Sequence, residues 1–394
     1  MKQIFVIIVT ILSITGCNDS GHLLEYKQLN INTKEHILEA IKESKYIDRT
    51  DVHYSYTKFA INYSTEDVDG SNIAASGTIS IPNRSEDSYT IVINCHPTIF
   101  LNSLAPTQQN KTAIESAIYF TANSGFITLE PDYIGFGSSK DKKHLYFIKK
   151  QSTKAVTDFV KASIEFLKLK GISVKNIYLT GYSEGAYVAL SSLGTLEDMG
   201  YNIKITLPIA GVYTLEPIAS KILKYKRLQK PSIITAIAKS YATKNGIELN
   251  KFINSRYIDL IKNIYDGNHS KEYIDKALPK SLKGQDGLFL DSFITNYNNS
   301  WLQNELKRNN ALELFWKSKI EFLNCLGDKT APIKLATLTK DILNKYYFKS
   351  SKVVPVESFI SQNLKTKLRL NHKECATPAY KIANFIFKID SQKR

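Results

Sequence analysis

The spacing of apolar residues changes several times along this chain, and each change marks a different kind of element. The first sixteen residues carry Lys2, an apolar run from Ile4 to Leu12 too short to span a bilayer, and then small residues. That is the pattern of an export signal. After a polar tether, Lys34 to Ser44 sets Ile37, Leu38 and Ile41 at helical spacing and predicts a short amphipathic helix. His53 to Tyr63 and Asn72 to Ile81 then alternate with period two around Asp69-Gly70, which predicts an antiparallel hairpin at a sheet edge. Tyr89 to Cys95 is a denser apolar run, as a buried strand requires.

From there helices and strands alternate. Helices are predicted at Lys111 to Asn123, Thr153 to Lys170 and Gly185 to Leu196, with strands at Phe126 to Glu130, Lys175 to Leu179 and Lys204 to Ala210. Repeated βα units imply a parallel sheet covered on both faces. The rhythm breaks over 214–318, a helical stretch rich in Tyr, Lys and Asn that reads as an inserted cap. Strands resume at Ile320 to Leu326 and Lys352 to Val356, with helices at Ile333 to Tyr346 and Pro378 to Phe387. The expected organisation is an α/β protein: a signal at 1–16, a core in two parts at 17–213 and 319–394, and a helical cap at 214–318. Within the cap, the apolar stretch Pro231 to Ala238 either packs on the core or roofs a pocket.

Composition removes other classes. With 43% hydrophobic and 23% charged residues over 394 positions, disorder and fibre are excluded. The formal charge of +15 is spread along the chain and no nucleic-acid motif accompanies it, so nucleic acid is not an expected partner. Attraction to anionic lipid or polysaccharide stays open.

The signal ends in Ile14-Thr15-Gly16-Cys17, which resembles the lipobox of bacterial lipoproteins. That resemblance implies cleavage before Cys17, a diacylglyceryl group on its sulfur, and a membrane partner reached through that anchor without spanning the bilayer. Asn18 after the cysteine, by resemblance to the enteric sorting rule, points to an outer membrane in a Gram-negative cell. A plain secretory signal with Cys17 incidental is the alternative. Export places Cys95, Cys325 and Cys375 in an oxidising compartment where one pair could close. No cysteine spacing suits zinc, and no metal is expected.

The chemistry centres on Gly181-Tyr182-Ser183-Glu184-Gly185, set between a predicted strand and a predicted helix. This G-x-S-x-G pattern is weak alone; between strand and helix it becomes a turn that exposes a serine nucleophile. Ser183 then needs a base and an orienting carboxylate. Of the two histidines that follow it, His372 lies in a loop ahead of the last helix and His269 lies in the cap. Asp328 follows a late strand in Gly327-Asp328 and is the best placed acid; Glu321, Asp286, Asp291 and Asp341 are weaker candidates. Cys325 lies three residues before Asp328 and Cys375 three after His372, so the two sulfurs come near each other if Asp328 and His372 meet. The oxyanion needs two N–H donors, for which Glu184 and Thr98 are the candidates, since Pro97 has none. His96 and Asp132 read as loop-shaping hydrogen-bonders.

These segments resemble the secretory lipase and esterase group of α/β-hydrolases, whose members include fungal lipases with a large helical cap. Members carry His-Gly-Thr followed by Ala-Pro-Ser, here His96-Pro97-Thr98 and Ala105-Pro106-Thr107. A Pro-Asp-Tyr-x-Gly-x-Gly turn corresponds to Pro131 through Gly137, and His144-Leu145-Tyr146 echoes a His-Pro-Tyr segment. Where members have Gln and a further glycine after the nucleophile, this chain has Glu184 and Ala186, and a Glu184 carboxylate opposes an oxyanion unless it points away. The resemblance implies a mostly parallel sheet with an N-terminal antiparallel hairpin, no cofactor, and a serine hydrolase of small-molecule or lipid esters. Acyl esters of short to medium chain come first and insoluble lipid second. A peptidase or amidase on the same fold and a catalytically silent surface-binding lipoprotein are the competing readings.

Overall fold

The computed structural model describes residues 20–109, 116–313, 316–346, 351–360 and 368–393. The expected export signal, Cys17 and the start of the helix expected at 111–123 lie outside them. Among the described residues nine strands form one sheet: β1 (Leu23–Asn32), β2 (Tyr56–Glu66), β3 (Asn72–Pro82), β4 (Tyr89–Cys95), β5 (Ile127–Pro131), β6 (Val174–Tyr182), β7 (Ile203–Ile209), β8 (Lys319–Asn324) and β9 (Lys352–Pro355). Their order is β1-β2-β3-β5-β4-β6-β7-β8-β9. Pairing is antiparallel from β1 to the β3–β5 contact and parallel beyond it.

The hairpin β2–β3 forms as expected, but it is not the edge. That place belongs to β1, in the stretch expected as a polar tether. In β1 only Leu23 and Asn32 are buried. Its attachment comes from the backbone ladder to β2 and from Tyr26 packing edge-on against Phe166 at 5.1 Å, neither of which leaves an apolar period to read.

Helices cover both faces. On one side lie α2 (Lys149–Leu169) and α3 (Glu184–Asp198); on the other lie α1 (Lys34–Ala40), a π-helical turn at Ile118–Ala122 and the C-terminal α12 (His372–Ser391). Alternation along β6 decides which residue meets which layer. Ile177 and Leu179 face the α2 and α3 side, while Tyr178 stacks on Phe387 of α12 at 4.5 Å and donates its hydroxyl to Asp390 at 2.9 Å.

The last helix begins six residues earlier than Pro378, which sits inside it. Its start is fixed by a capping box that outweighs the missing donor of the proline. Asn371 accepts from the N–H groups of Lys373 and Glu374, and the Glu374 carboxylate accepts from the Asn371 N–H. His372, expected in a loop, is therefore the first residue of the helix.

Between β7 and β8 run α4 (Glu216–Ile222), α5 (Pro231–Lys244), α6 (Ile258–Ile264), α7 (Lys271–Ala277), α8 (Asp291–Thr295) and α9 (Trp301–Arg308), with two isolated bridges, Arg227 to Ser281 and Ile253 to Phe289. Phe252 gathers Phe289, Phe293 and Trp301 into an aromatic cluster of this layer. Tyr241 of α5 and Tyr187 of α3 both donate to the Phe147 carbonyl, at 2.8 and 3.2 Å, which ties the layer to the sheet's helices. After β8 come α10 (Ile333–Tyr346) and α11 (Glu357–Ile360). Among the described residues no helix is long and apolar enough to cross a membrane.

Candidate active site

Ser183 sits between the end of β6 and the first residue of α3 with φ 58° and ψ −113°. A side chain in this left-handed region is strained, and the strain lifts the hydroxyl clear of the backbone. The two glycines of the motif make the turn possible. A Cβ on Gly185 would lie 1.9 Å from the Cys95 carbonyl oxygen, and one on Gly181 would lie 2.2 Å from the Gly185 oxygen. The Ser183 N–H is anchored on the Ile209 carbonyl of β7 at 2.9 Å.

His372 Nε2 lies 3.0 Å from Ser183 Oγ, and Nδ1 lies 2.7 Å from Asp328 Oδ2. A carboxylate only accepts, so Nδ1 carries the proton and Nε2 turns its lone pair to the serine hydroxyl. Asp328, 4% exposed, accepts with its other oxygen from the N–H groups of Thr330 and Ala331 at 2.8 and 2.9 Å. The Tyr182 hydroxyl donates to the His372 carbonyl, and burial together with the Asp328 charge pushes its pKa up, so it stays a donor. Serine, histidine and aspartate arrive from three distant segments, and the structure brings all three together.

Two devices join the acid turn to the histidine turn. Cys325 and Cys375 form a disulfide, which leaves Cys95, buried, as the free cysteine among the described residues. The buried carboxylate of Glu357 accepts from the Leu326 N–H at 2.9 and 3.1 Å and from the Leu370 N–H at 2.9 Å. Sequence reasoning missed Glu357, since a lone glutamate after a short strand carries no motif.

Glu184 points away from the space in front of Ser183. It is 2% exposed, and its carboxylate meets His144 Nε2 at 3.0 Å. The other ring nitrogen, Nδ1, lies 3.0 Å from the Ile134 carbonyl oxygen. These two contacts hold the ring between the Ile134 carbonyl and the Glu184 carboxylate. Only the family echo at His144-Leu145-Tyr146 hinted at this histidine, and the echo does not reveal its partner.

Thr98 lies across from the serine turn, its Oγ1 2.6 Å from the Tyr146 hydroxyl oxygen. His96 stacks on Tyr133 with ring centres 3.9 Å apart and reaches the Asp132 carbonyl with Nε2 at 3.0 Å. Asp132 accepts from the Ser76 hydroxyl at 2.5 Å and from Thr107 through its hydroxyl at 2.5 Å and its N–H at 2.9 Å. Burial raises its pKa, and these donors pull against the shift. Both residues shape the loop.

A cavity of about 820 Å³ opens above Ser183, His372 and Thr98. Its walls are apolar and come largely from the insertion: Leu215 and Ile218 near α4, Ile233 and Ile237 on α5, Phe293 on α8 and Leu302 on α9. Helix α5 thus serves both alternatives set for it. Thr235 and Ala236 are buried, while Ile233 and Ile237 face the cavity. Among the described residues no group of three His, Cys, Asp or Glu side chains is arranged to hold a metal ion.

A model of the secretory lipase family matches residues 103–197, which span the segment from the loop after β4 through α3 and include the serine turn. No curated protein matches the sequence. Among solved structures, a putative hydrolase from Legionella pneumophila aligns with TM-score 0.82 at 20% identity, covering 95% of this chain and 99% of its own. The rice cell wall degrading esterase LipA from Xanthomonas oryzae aligns with TM-score 0.78 at 18% identity, with the same coverage. Candida antarctica lipase A aligns with TM-score 0.61 at 14% identity, covering 85% of this chain and 76% of its own. The fold they share with this chain is that of the α/β-hydrolases, and the resemblance to secreted lipases and esterases rests on the family match.

Proposed function

We propose that this chain is a serine hydrolase of carboxylic esters. The observation that carries the reading is the relay from Asp328 through His372 to Ser183, at 2.7 and 3.0 Å, opening onto an apolar cavity of about 820 Å³. In the first half-reaction His372 Nε2 takes the Ser183 proton as Oγ attacks the ester carbonyl, and the new imidazolium is held by Asp328. The N–H groups of Glu184 and Thr98 receive the oxyanion, the former as the first donor of α3, where no intrahelical acceptor exists. His372 then protonates the leaving alcohol. Water, deprotonated by the same nitrogen, releases the acid from the acyl-enzyme.

The helical insertion acts as the cap expected at 214–318, supplying the acyl wall. A cavity in the upper part of the common ligand-pocket range of roughly 300–1,000 Å³ favours medium and longer acyl groups over the shortest. Export, supported by the secretory lipase match, is followed in this reading by lipid attachment at Cys17, which keeps the enzyme at a membrane surface.

Hydrolysis of nitrophenyl esters of increasing chain length, with fluorophosphonate labelling, tests the reading. The wild type should turn over and be labelled, and Ser183→Ala should lose both, with kcat down about 10⁴-fold or more. A folded wild type that takes no label defeats it, and turnover of amides alone replaces it with an amidase. Labelled palmitate incorporation, lost in Cys17→Ser, tests the anchor.

A further inference from the structure

The charged residues that line the catalytic cavity are mostly cationic. Lys230, Lys271, Lys329 and Lys373 line it together with a single carboxylate, Glu272. Two of these lysines neighbour the relay in the chain, since Lys329 follows Asp328 and Lys373 follows His372, each one Cα step of about 3.8 Å away, and both side chains are exposed. Lys230, just ahead of α5, donates its Nζ to the Thr330 hydroxyl at 2.6 Å, on the turn whose N–H groups hold Asp328.

Two of the acids nearby are already engaged. Asp275 pairs with Lys271 at 2.5 Å and accepts from the Ser232 N–H at 2.9 Å, and Asp328 is committed to His372, Thr330 and Ala331. Among the described residues no carboxylate lies in ion-pair range of Lys230, Lys329 or Lys373. Lys230 is half-buried, and that burial together with the Lys271 charge holds its pKa below the usual lysine value. Three lysines without a carboxylate partner in ion-pair range thus line an otherwise apolar cavity, in which Glu272 is the one carboxylate among the described lining residues. An anionic substrate group would balance them, and it would have to be attached close to the scissile ester.

Resting on the ester-hydrolase reading, we propose that the preferred substrate is an acyl ester whose alcohol carries a phosphate, the chemistry of a lysophospholipid or glycerophospholipid. The acyl chain fills the wall of α4, α5, α8 and α9, and the phosphate sits among Lys230, Lys329 and Lys373. A phosphate presents several acceptor oxygens and up to two charges, so it can serve three separate ammonium donors at once. A glycerol backbone sets that group a few bonds from the ester, on the leaving-group side, within the reach of lysines that neighbour Asp328 and His372 in the chain.

The test compares octanoylglycerol phosphate with octanoylglycerol, both as monomers so that interfacial binding does not enter. At low salt the wild type should favour the phosphate by roughly tenfold or more in kcat/KM. The ratio should shrink as salt rises. It should approach one in K230Q/K329Q/K373Q, with K230Q alone, the substitution farthest in sequence from Asp328 and His372, giving part of the loss. Fluorophosphonate labelling and a melting curve establish that the variants are folded. A wild-type ratio of one or less overturns the proposal, as does a preference that survives the triple substitution. If octanoylglycerol is hydrolysed without any advantage to the phosphate, only this proposal falls; if Ser183→Ala still hydrolyses either lipid, the hydrolase reading itself falls.

Discussion

Removing the Cys325–Cys375 disulfide separates the two turns that hold Asp328 and His372, and the size of the effect follows from the loop it closes. The bonded cysteines are 50 residues apart, and a loop of that size restricts the unfolded chain by about 4 kcal/mol in the chain-entropy model. At about 2.1 cal/mol/K of unfolding entropy per residue, a chain of 394 residues loses roughly 5 °C in Tm for that energy. Both sulfurs are buried, so the double variant Cys325→Ala/Cys375→Ala adds a small cavity cost to this figure. The local effect should be the larger. With the bond gone, the meeting of Asp328 and His372 rests on Glu357 and the cap of α12, and kcat should fall more than KM changes. Differential scanning fluorimetry and ester kinetics on wild type and double variant measure both. Alkylation in denaturant without reductant should modify Cys95 and spare Cys325 and Cys375. An alanine pair that melts within 1 °C of the wild type and keeps its kcat would refute the reasoning.

Three further perturbations probe the surroundings of the site. Glu357→Ala strands the N–H groups of Leu326 and Leu370 and should cost about 2–3 kcal/mol in urea unfolding, with a fall in kcat; an unchanged kcat would remove Glu357 from the positioning scheme. Glu184→Gln keeps an acceptor for His144 and should hold kcat within about threefold, whereas Glu184→Leu leaves a part-buried ring nitrogen unpaired and should lose about 1–3 kcal/mol of stability. Equal stability of the two variants would show that the His144 contact contributes nothing. Lys239, above the Tyr265 ring at 4.9 Å, has its pKa lowered to about 8 by burial and by Lys143. Between that value and the ordinary lysine value near 10.4 the unfolded chain binds the extra proton, so stability rises with pH across this window and is lowest below it. Measured against Lys239→Met by urea unfolding, the wild type should gain between pH 7.5 and 9.5; a flat difference would contradict the shift.

Much of the scaffold is written in local pattern. Tyr89 to Cys95 and Ile333 to Tyr346 form the strand and helix their apolar spacing predicts, because burial of one face or of both is a short-range constraint. The edge strand β1 escapes that logic, since its stability comes from a ladder to β2 rather than from its own apolar side. The start of α12 escapes it for a different reason. Pro378 is the louder signal, yet the Asn371–Glu374 box decides where the helix begins.

At the site, residue types and order along the chain already single out Ser183, Asp328 and His372, together with the glycines that let the backbone turn. Those choices depend on chemistry that each residue carries by itself. What the sequence cannot state is which way a side chain faces once distant segments meet. The turn of Glu184 toward His144, the clasp of Glu357 on Leu326 and Leu370, the closing of Cys325 on Cys375 and the reach of Lys230 to Thr330 are contacts between segments far apart in the chain. Only packing of the finished sheet and its helices brings them within a few ångströms, which is why tertiary structure alone decided them.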